Sequence, residues 1–251
     1  MTIHTLFSKK SDLYEVARPL YPENIYQYLA TLTPSNVAAW DCACGNGQAA
    51  ISLIRHFESV SATDVSEEQI AHAKQHENIQ YSVSPSEVTP FEDNAFDLVC
   101  VAQALHWFDF EKYWPEVKRV LKPNGVFATW GYVWPSVNPQ FDQLFSKTVL
   151  DVIEPYWAPQ NQLLCDHYQN VEFPFTPIDT PKFEMKVTWS LDEFMSFIRT
   201  FSATRLCIEE QGEDFFLAAR QTLMPSWGTP SNKREIDLDF VFIAGRMDQT
   251  S

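Results

Sequence analysis

Apolar and polar positions in the first half of the chain alternate between two periods. Val37–Trp40 is a short apolar run of strand type, and QAAISLIRHF at 48–57 spaces its apolar residues along one helical face. Ser59–Thr63 reads as a second strand ending at Asp64. Ser66 then caps a predicted helix, EEQIAHAKQH, with acidic residues in its first turn. Ile79–Val83 is a third strand, and Phe96–Ala102 (FDLVCVA) is apolar almost throughout, as a central parallel strand covered on both faces must be. A helix over Phe110–Leu121, stopped by Pro123 and Gly125, leads into a strand over Val126–Tyr132. This rhythm predicts a doubly wound parallel sheet with right-handed crossovers.

Beyond Trp134 the rhythm changes. An amphipathic helix is predicted over Phe141–Ile153, followed by chain punctuated by Pro155, Pro159, Pro174, Pro177 and Pro181. LDEFMSFIRTFSA and EDFFLAARQTLM have helical spacing, whereas FEMKVTW and EIDLDFVFIAG alternate as strands do. The expected organisation is therefore a core over residues 1–134 and a region over 135–251 that covers the ligand side and completes the same sheet. Near the start, KSDLYEVARPLYP carries a helix-like part ending at Pro19, and PENIYQYLATL opens a helix with Pro22 near its first position.

Composition narrows the function classes. With 45% hydrophobic residues among 251, the chain has ample material for a core. Its formal charge of −15 disfavours a phosphate backbone or an anionic membrane as partner, so a small molecule is expected rather than nucleic acid. No run of about 18 apolar residues predicts membrane insertion, and MTIHTLFSKK lacks the apolar centre of a secretory signal, which points to the cytoplasm. Five cysteines form no framework and, with six histidines, no metal-ligand spacing; small reduced thiols and no metal are expected. A monomer or weak homodimer is anticipated.

Candidate chemistry begins at DCACGNGQ, Asp41–Gln48, between the first strand and its helix, where α/β sheets place their ligands. Gly45 and Gly47 allow a tight turn and close approach, and the amides entering the helix are expected to face the ligand. A purely structural turn accounts for the same glycines. Gly45 to Ala50 also satisfies GxGxxA, and Asp64 lies seventeen residues beyond Gly47, where a dinucleotide's ribose would need an acid. Asp41, four residues before Gly45, is read as a strand-tip carboxylate that repels pyrophosphate and tolerates a cationic nucleoside cofactor. An NAD-dependent oxidoreductase is the rival reading, and a non-catalytic cofactor- or partner-binding module is a second.

These segments resemble the class I S-adenosylmethionine-dependent methyltransferases, in particular the group similar to trans-aconitate methyltransferase. The likeness runs through FSKKSDLYEVARPLYP, DCACGNGQ, Thr63–Asp64, the block from Ser84 to Phe108, VLKPNGVFA at 120–128 and RTFSA at 199–203. It implies a Rossmann-like α/β fold with a seven-stranded, mostly parallel sheet, helices on both faces and a partly helical lid. It also implies that S-adenosylmethionine is the cofactor and that its methyl group passes to a small molecule, with a carboxylate slightly favoured.

The resemblance assigns the cofactor to Asp41, Ala43, Gly45, Asn46 and Gly47 at the turn, with Asp64 on the ribose and Val65 on the adenine. Ser86 and Glu87 would meet the adenine edge, with a capping Ser and a solvated Glu as the alternative reading. Gln103 would face the methionine portion. Tyr14 and Arg18 share a face if their segment is helical, and would close over the methionine carboxylate, Arg18 reaching the acceptor as well. His106, Trp107, Trp134 and Arg199 complete the acceptor set. His106 is the candidate base because imidazole titrates near neutrality, but packing or substrate orientation suits it better, since a carboxylate acceptor needs no deprotonation. Late aromatics such as Trp157 and Phe201, and Arg205 beside them, are possible pocket walls.

Overall fold

The computed structural model describes residues 18–248. Tyr14 lies outside these residues. Within them, eight strands form one sheet: β1 (Ala38–Cys42), β2 (Ser59–Asp64), β3 (Ile79–Val83), β4 (Phe96–Ala102), β5 (Leu121–Ser136), β6 (Thr176–Pro177), β7 (Met185–Trp189) and β8 (Arg234–Arg246). The order is β3-β2-β1-β4-β5-β8-β6, with β7 also on β8. β1 to β5 are parallel and β8 runs antiparallel to β5.

The seven-stranded expectation holds for the core, and one more strand is present. Both β6 and β7 pair antiparallel with β8, Thr176 against Arg246 at one end and Trp189 against Arg234 at the other. They occupy one sheet position that the proline-punctuated chain cannot fill continuously, because proline supplies no ladder N–H.

Alternation along the central strands separates two apolar layers. Ala39, Leu98, Cys100, Ala128 and Trp130 face one side with α1 (Glu23–Leu32) and α2 (Gln48–Leu53). Trp40, Val99, Val101 and Phe127 face the other with Tyr113 and Val117 of the helix α4 (Phe110–Val120). Both faces of β4 are thereby buried, as its nearly continuous apolar sequence requires. The short helix α3 (Glu67–Ala71) starts at Ser66, whose side chain accepts from the Gln69 amide; it is shorter than the expected ten residues.

Two boundary differences matter for the site. β1 extends to Cys42, so Asp41 is a strand residue with no exposed surface rather than a member of the turn. β5 starts at Leu121 and absorbs Pro123 and Gly125, with a register shift against β4 between Phe96 and Leu98.

The region after β5 builds a third apolar cluster. α5 (Pro139–Phe145) continues as a π-helical stretch at Ser146–Leu150 and ends at Ile153, in place of one regular helix. α6 (Asn161–Cys165), α7 (Leu191–Arg199), α8 (Ser202–Gln211) and α9 (Asp214–Trp227) follow. LDEFMSFIRTFSA is not one helix: Thr200 closes α7 by donating its hydroxyl to the Phe197 carbonyl, and Phe201 is extended. α7 opens with a capping box between Ser190 and Glu193. Phe141, Phe194, Phe197 and Trp227 from these helices pack around Tyr132 and the start of β8. Among the described residues no helix is long and apolar enough to cross a membrane.

Candidate functional site

Strand order reverses between β1 and β4, and the chain leaving both strands turns there on left-handed backbone. Ala43 and Gly45 have φ of +55°, Gly47 has +84° and Gln103 has +60°. At Gly47 a Cβ would run into the Tyr81 ring and hydroxyl on β3, so steric space as well as conformation favours glycine.

Three amides of this turn are committed internally. Cys44 N–H donates to the Thr63 carbonyl at 2.9 Å, Gly47 N–H to the Cys44 carbonyl at 2.9 Å and Gly45 N–H to Asp64 Oδ2 at 2.9 Å. The other Asp64 oxygen accepts from Ser66 N–H at 2.8 Å. A phosphate-binding turn presents such amides to its ligand; here Thr63, Cys44 and Asp64 take these three. Asp41 is fully buried, and burial, with the Asp64 charge adding to it, raises its pKa to about 7.

Two cavities open beside the turn. The larger, about 170 Å³, is bordered by Ala43, Gly45, Asn46, Asp64 and Val65. The smaller, about 80 Å³, is bordered by His106, Val133, Trp134, Trp157, Phe201 and Arg205. Arg18, Gln103, Trp107 and Tyr132 border both and so form the shared wall. Arg18 donates to the Tyr132 hydroxyl at 2.8 Å and lies over the Tyr132, Phe197 and Phe201 rings at 5.7, 5.8 and 5.9 Å. Such stacking holds a planar guanidinium beside apolar surface.

Gln103 shapes this wall without offering its amide to a ligand. Its Nε2 donates to the Tyr132 carbonyl at 2.7 Å and its Oε1 accepts from the Tyr132 amide at 2.8 Å. The side chain thus extends the β4–β5 ladder beyond the last strand pair. Gly131 leaves room for it: a Cβ there would meet Gln103 Oε1 at 2.6 Å.

The structure gathers Arg18, Ala43, Gly45, Asn46, Asp64, Val65 and Gln103 at the larger cavity, and Arg18, His106, Trp107 and Trp134 at the smaller one. Asp41, Gly47, Ser86 and Glu87 do not border the larger cavity; Glu87 instead accepts from the Asp109 amide at 3.4 Å. Arg199 does not border the smaller cavity, because it pairs with Glu213 and lies 5.8 Å from the Phe216 ring centroid. The interruption at Thr200–Phe201 puts Arg205 on the cavity instead. The sequence carries no mark of that break, because LDEFMSFIRTFSA keeps helical spacing across it.

His106 is buried, and desolvation lowers its pKa to about 4. Its Nδ1 lies 3.1 Å from the Tyr168 hydroxyl. At neutral pH the ring is uncharged. Among the described residues no cluster of three or more His, Cys, Asp or Glu is arranged to hold a metal.

Comparison with known proteins agrees with this geometry. A family model described as a methyltransferase domain matches residues 40–129. A solved structure from Anaeromyxobacter dehalogenans, described as a type II methyltransferase, is 32% identical and superposes with a TM-score of 0.86, covering 93% of this chain and 99% of that one. A Dictyostelium discoideum protein named as a methyltransferase is 26% identical over 239 residues, covering 93% of this chain and 91% of its own. Saccharomyces cerevisiae CRG1, named as an S-adenosylmethionine-dependent methyltransferase, is 22% identical and covers 77% of this chain and 79% of its own.

Proposed function

The chain belongs to the class I S-adenosylmethionine-dependent methyltransferases, and we propose that it methylates a small organic acid on its carboxylate. The observation that carries this reading is the shared wall: Arg18 borders both cavities, and Arg205 adds a second guanidinium to the smaller one.

The larger cavity suits the cofactor. Asp64 keeps acceptor capacity for ribose hydroxyls while tying down the turn, and the partly exposed Val65 offers an apolar plate for adenine. Arg18 is the one basic side chain among the described residues bordering this cavity, fit for the methionine carboxylate. S-adenosylmethionine, when bound, supplies an electrophilic methyl group on a sulfonium.

The smaller cavity has less than half the larger one's volume, about 80 against 170 Å³, which favours a compact acceptor. Trp134, Trp157 and Phe201 make it dry, and the two arginines offset the chain's overall negative charge locally. A carboxylate is already nucleophilic, so the chain's task is to orient it and exclude water. No base is required, in keeping with a His106 that desolvation holds uncharged. The five free cysteines suit the reducing conditions of a cytoplasm.

The test has two parts. Calorimetry with S-adenosylhomocysteine should show binding in the wild type. A labelled-methyl screen of aromatic and aliphatic carboxylates, phenols and amines should then give turnover in the carboxylates. Turnover confined to phenols or amines overturns the acceptor class, and binding without any turnover favours a cofactor-sensing role.

A further inference from the structure

The smaller cavity is backed by a residue that none of the preceding assignments use. Tyr168 is almost fully buried, and its hydroxyl lies 3.1 Å from His106 Nδ1. The chain goes to some trouble to bring it there. After α6, His167 N–H donates to the Leu164 carbonyl at 2.9 Å and Tyr168 N–H to the Leu163 carbonyl at 2.7 Å. This is the paired closure of a Schellman motif, whose left-handed position is usually glycine. Here His167 and Tyr168 hold φ of +52° and +55°, a conformation disfavoured for residues with a Cβ.

The direction of the hydrogen bond follows from what else the two groups can do. Burial raises the phenol pKa, so Tyr168 keeps its proton. Among the described residues, Nδ1 is the acceptor available to that proton. Were Nδ1 to carry hydrogen instead, the buried phenol would hold a donor with no acceptor, at a cost of about 1–3 kcal/mol. Desolvation of the imidazole disfavours the doubly protonated ring. With Nδ1 engaged by Tyr168, Nε2 is the ring nitrogen left for the cavity that His106 borders.

We propose that Tyr168 is a positioning residue: its hydroxyl donates to His106 Nδ1 and holds the imidazole as the Nε2–H tautomer, which presents a hydrogen-bond donor, not a base, to the methyl acceptor. The acceptor part rests on the smaller cavity being the carboxylate site; the tautomer does not. A ring fixed in this way steers one carboxylate oxygen while leaving its partner oxygen free for in-line attack on the methyl group.

The test is nitrogen-15 NMR of histidine-labelled protein with S-adenosylhomocysteine bound. The His106 signals are identified by their loss in His106→Gln. The wild type should show a protonated Nε2 and an unprotonated Nδ1 at pH 7. Tyr168→Phe should shift the ring toward a tautomer mixture while S-adenosylhomocysteine affinity stays within about twofold. Titration with sodium benzoate and sodium fumarate, an aromatic and an aliphatic carboxylate, should move the wild-type Nε2 signal. A wild-type Nδ1–H tautomer, or a preference unchanged in Tyr168→Phe, overturns the proposal; the wild-type spectrum decides even if the variant fails to fold. An Nε2 signal unmoved by both acids refutes the donor role, whereas the labelled-methyl screen judges the acceptor class separately.

Discussion

Asp64 Oδ2 accepts from the Gly45 amide at 2.9 Å, so the end of β2 holds the turn that leaves β1. One carboxylate therefore has two duties. It fixes a left-handed turn from outside, and it faces the cavity assigned to the cofactor.

Asp64→Ala removes both duties at once. We expect S-adenosylhomocysteine affinity to fall by about 100-fold, consistent with the loss of one or two charge-assisted hydrogen bonds. Asp64→Asn retains one acceptor oxygen and should lose less. Calorimetry on the two variants checks the order; equal wild-type affinity in Asp64→Ala would remove Asp64 from the ribose.

Gln103 and Gly131 form a single device at the shared wall. Gln103→Ala takes a donor and an acceptor from the Tyr132 backbone and should cost about 1–3 kcal/mol. Gly131→Ala places a Cβ where Gln103 Oε1 and Leu164 Cδ1 now lie, at 2.6 and 2.9 Å, and should destabilise in the same way. Because both act on one contact, urea unfolding of the double variant should show a loss smaller than the sum of the singles.

Arg18 and Arg205 should separate by kinetic signature. Arg205 borders only the smaller cavity, so Arg205→Met is expected to raise the acceptor KM about 10-fold or more with S-adenosylhomocysteine affinity unchanged. Arg18→Met touches both cavities and should weaken both. Cofactor binding lost in Arg205→Met would contradict the division of the site.

Two buried carboxylates on neighbouring strands predict opposite responses to pH. Asp97 accepts from Lys122 Nζ at 2.9 Å, from Ser35 and from the Val37 and Ala38 amides. Burial alone would raise its pKa, but these partners lower it below 3.8. Its stabilisation is present above that ordinary value and is lost as pH falls through the folded value. Asp41, raised from 3.8 to about 7 chiefly by burial, does the reverse: its cost is absent below 3.8 and grows until pH passes about 7. Thermal melts should therefore show Asp41→Asn gaining stability on the wild type as pH rises from 4 to 8, and Asp97→Asn losing its deficit in acid.

The order of elements through β5 was readable because each strand and helix carries its own period, and burial on both faces of β4 left Asp97 as the one polar residue in an otherwise apolar strand. Asp64 could be placed because it ends a recognisable strand beside a glycine turn. Asp41 could not, since whether a strand continues two residues past Trp40 depends on pairing with β2 and β4, not on local spacing. The engagement of the Cys44 and Gly45 amides was hidden for a similar reason: their acceptors, Thr63 and Asp64, are remote in the chain.

By itself the sequence determined the doubly wound core, the glycine turn and the acid that ends β2, because local periodicity and backbone chemistry specify them. Only the tertiary structure decided which arginine borders the smaller cavity, that Gln103 serves the backbone of β5, and that Tyr168 backs His106. Those relationships join residues from separate elements, and the break at Thr200–Phe201 and the left-handed exit from α6 set their directions. Distance along the chain carries no record of such convergence; packing of the late helices against the end of β5 creates it.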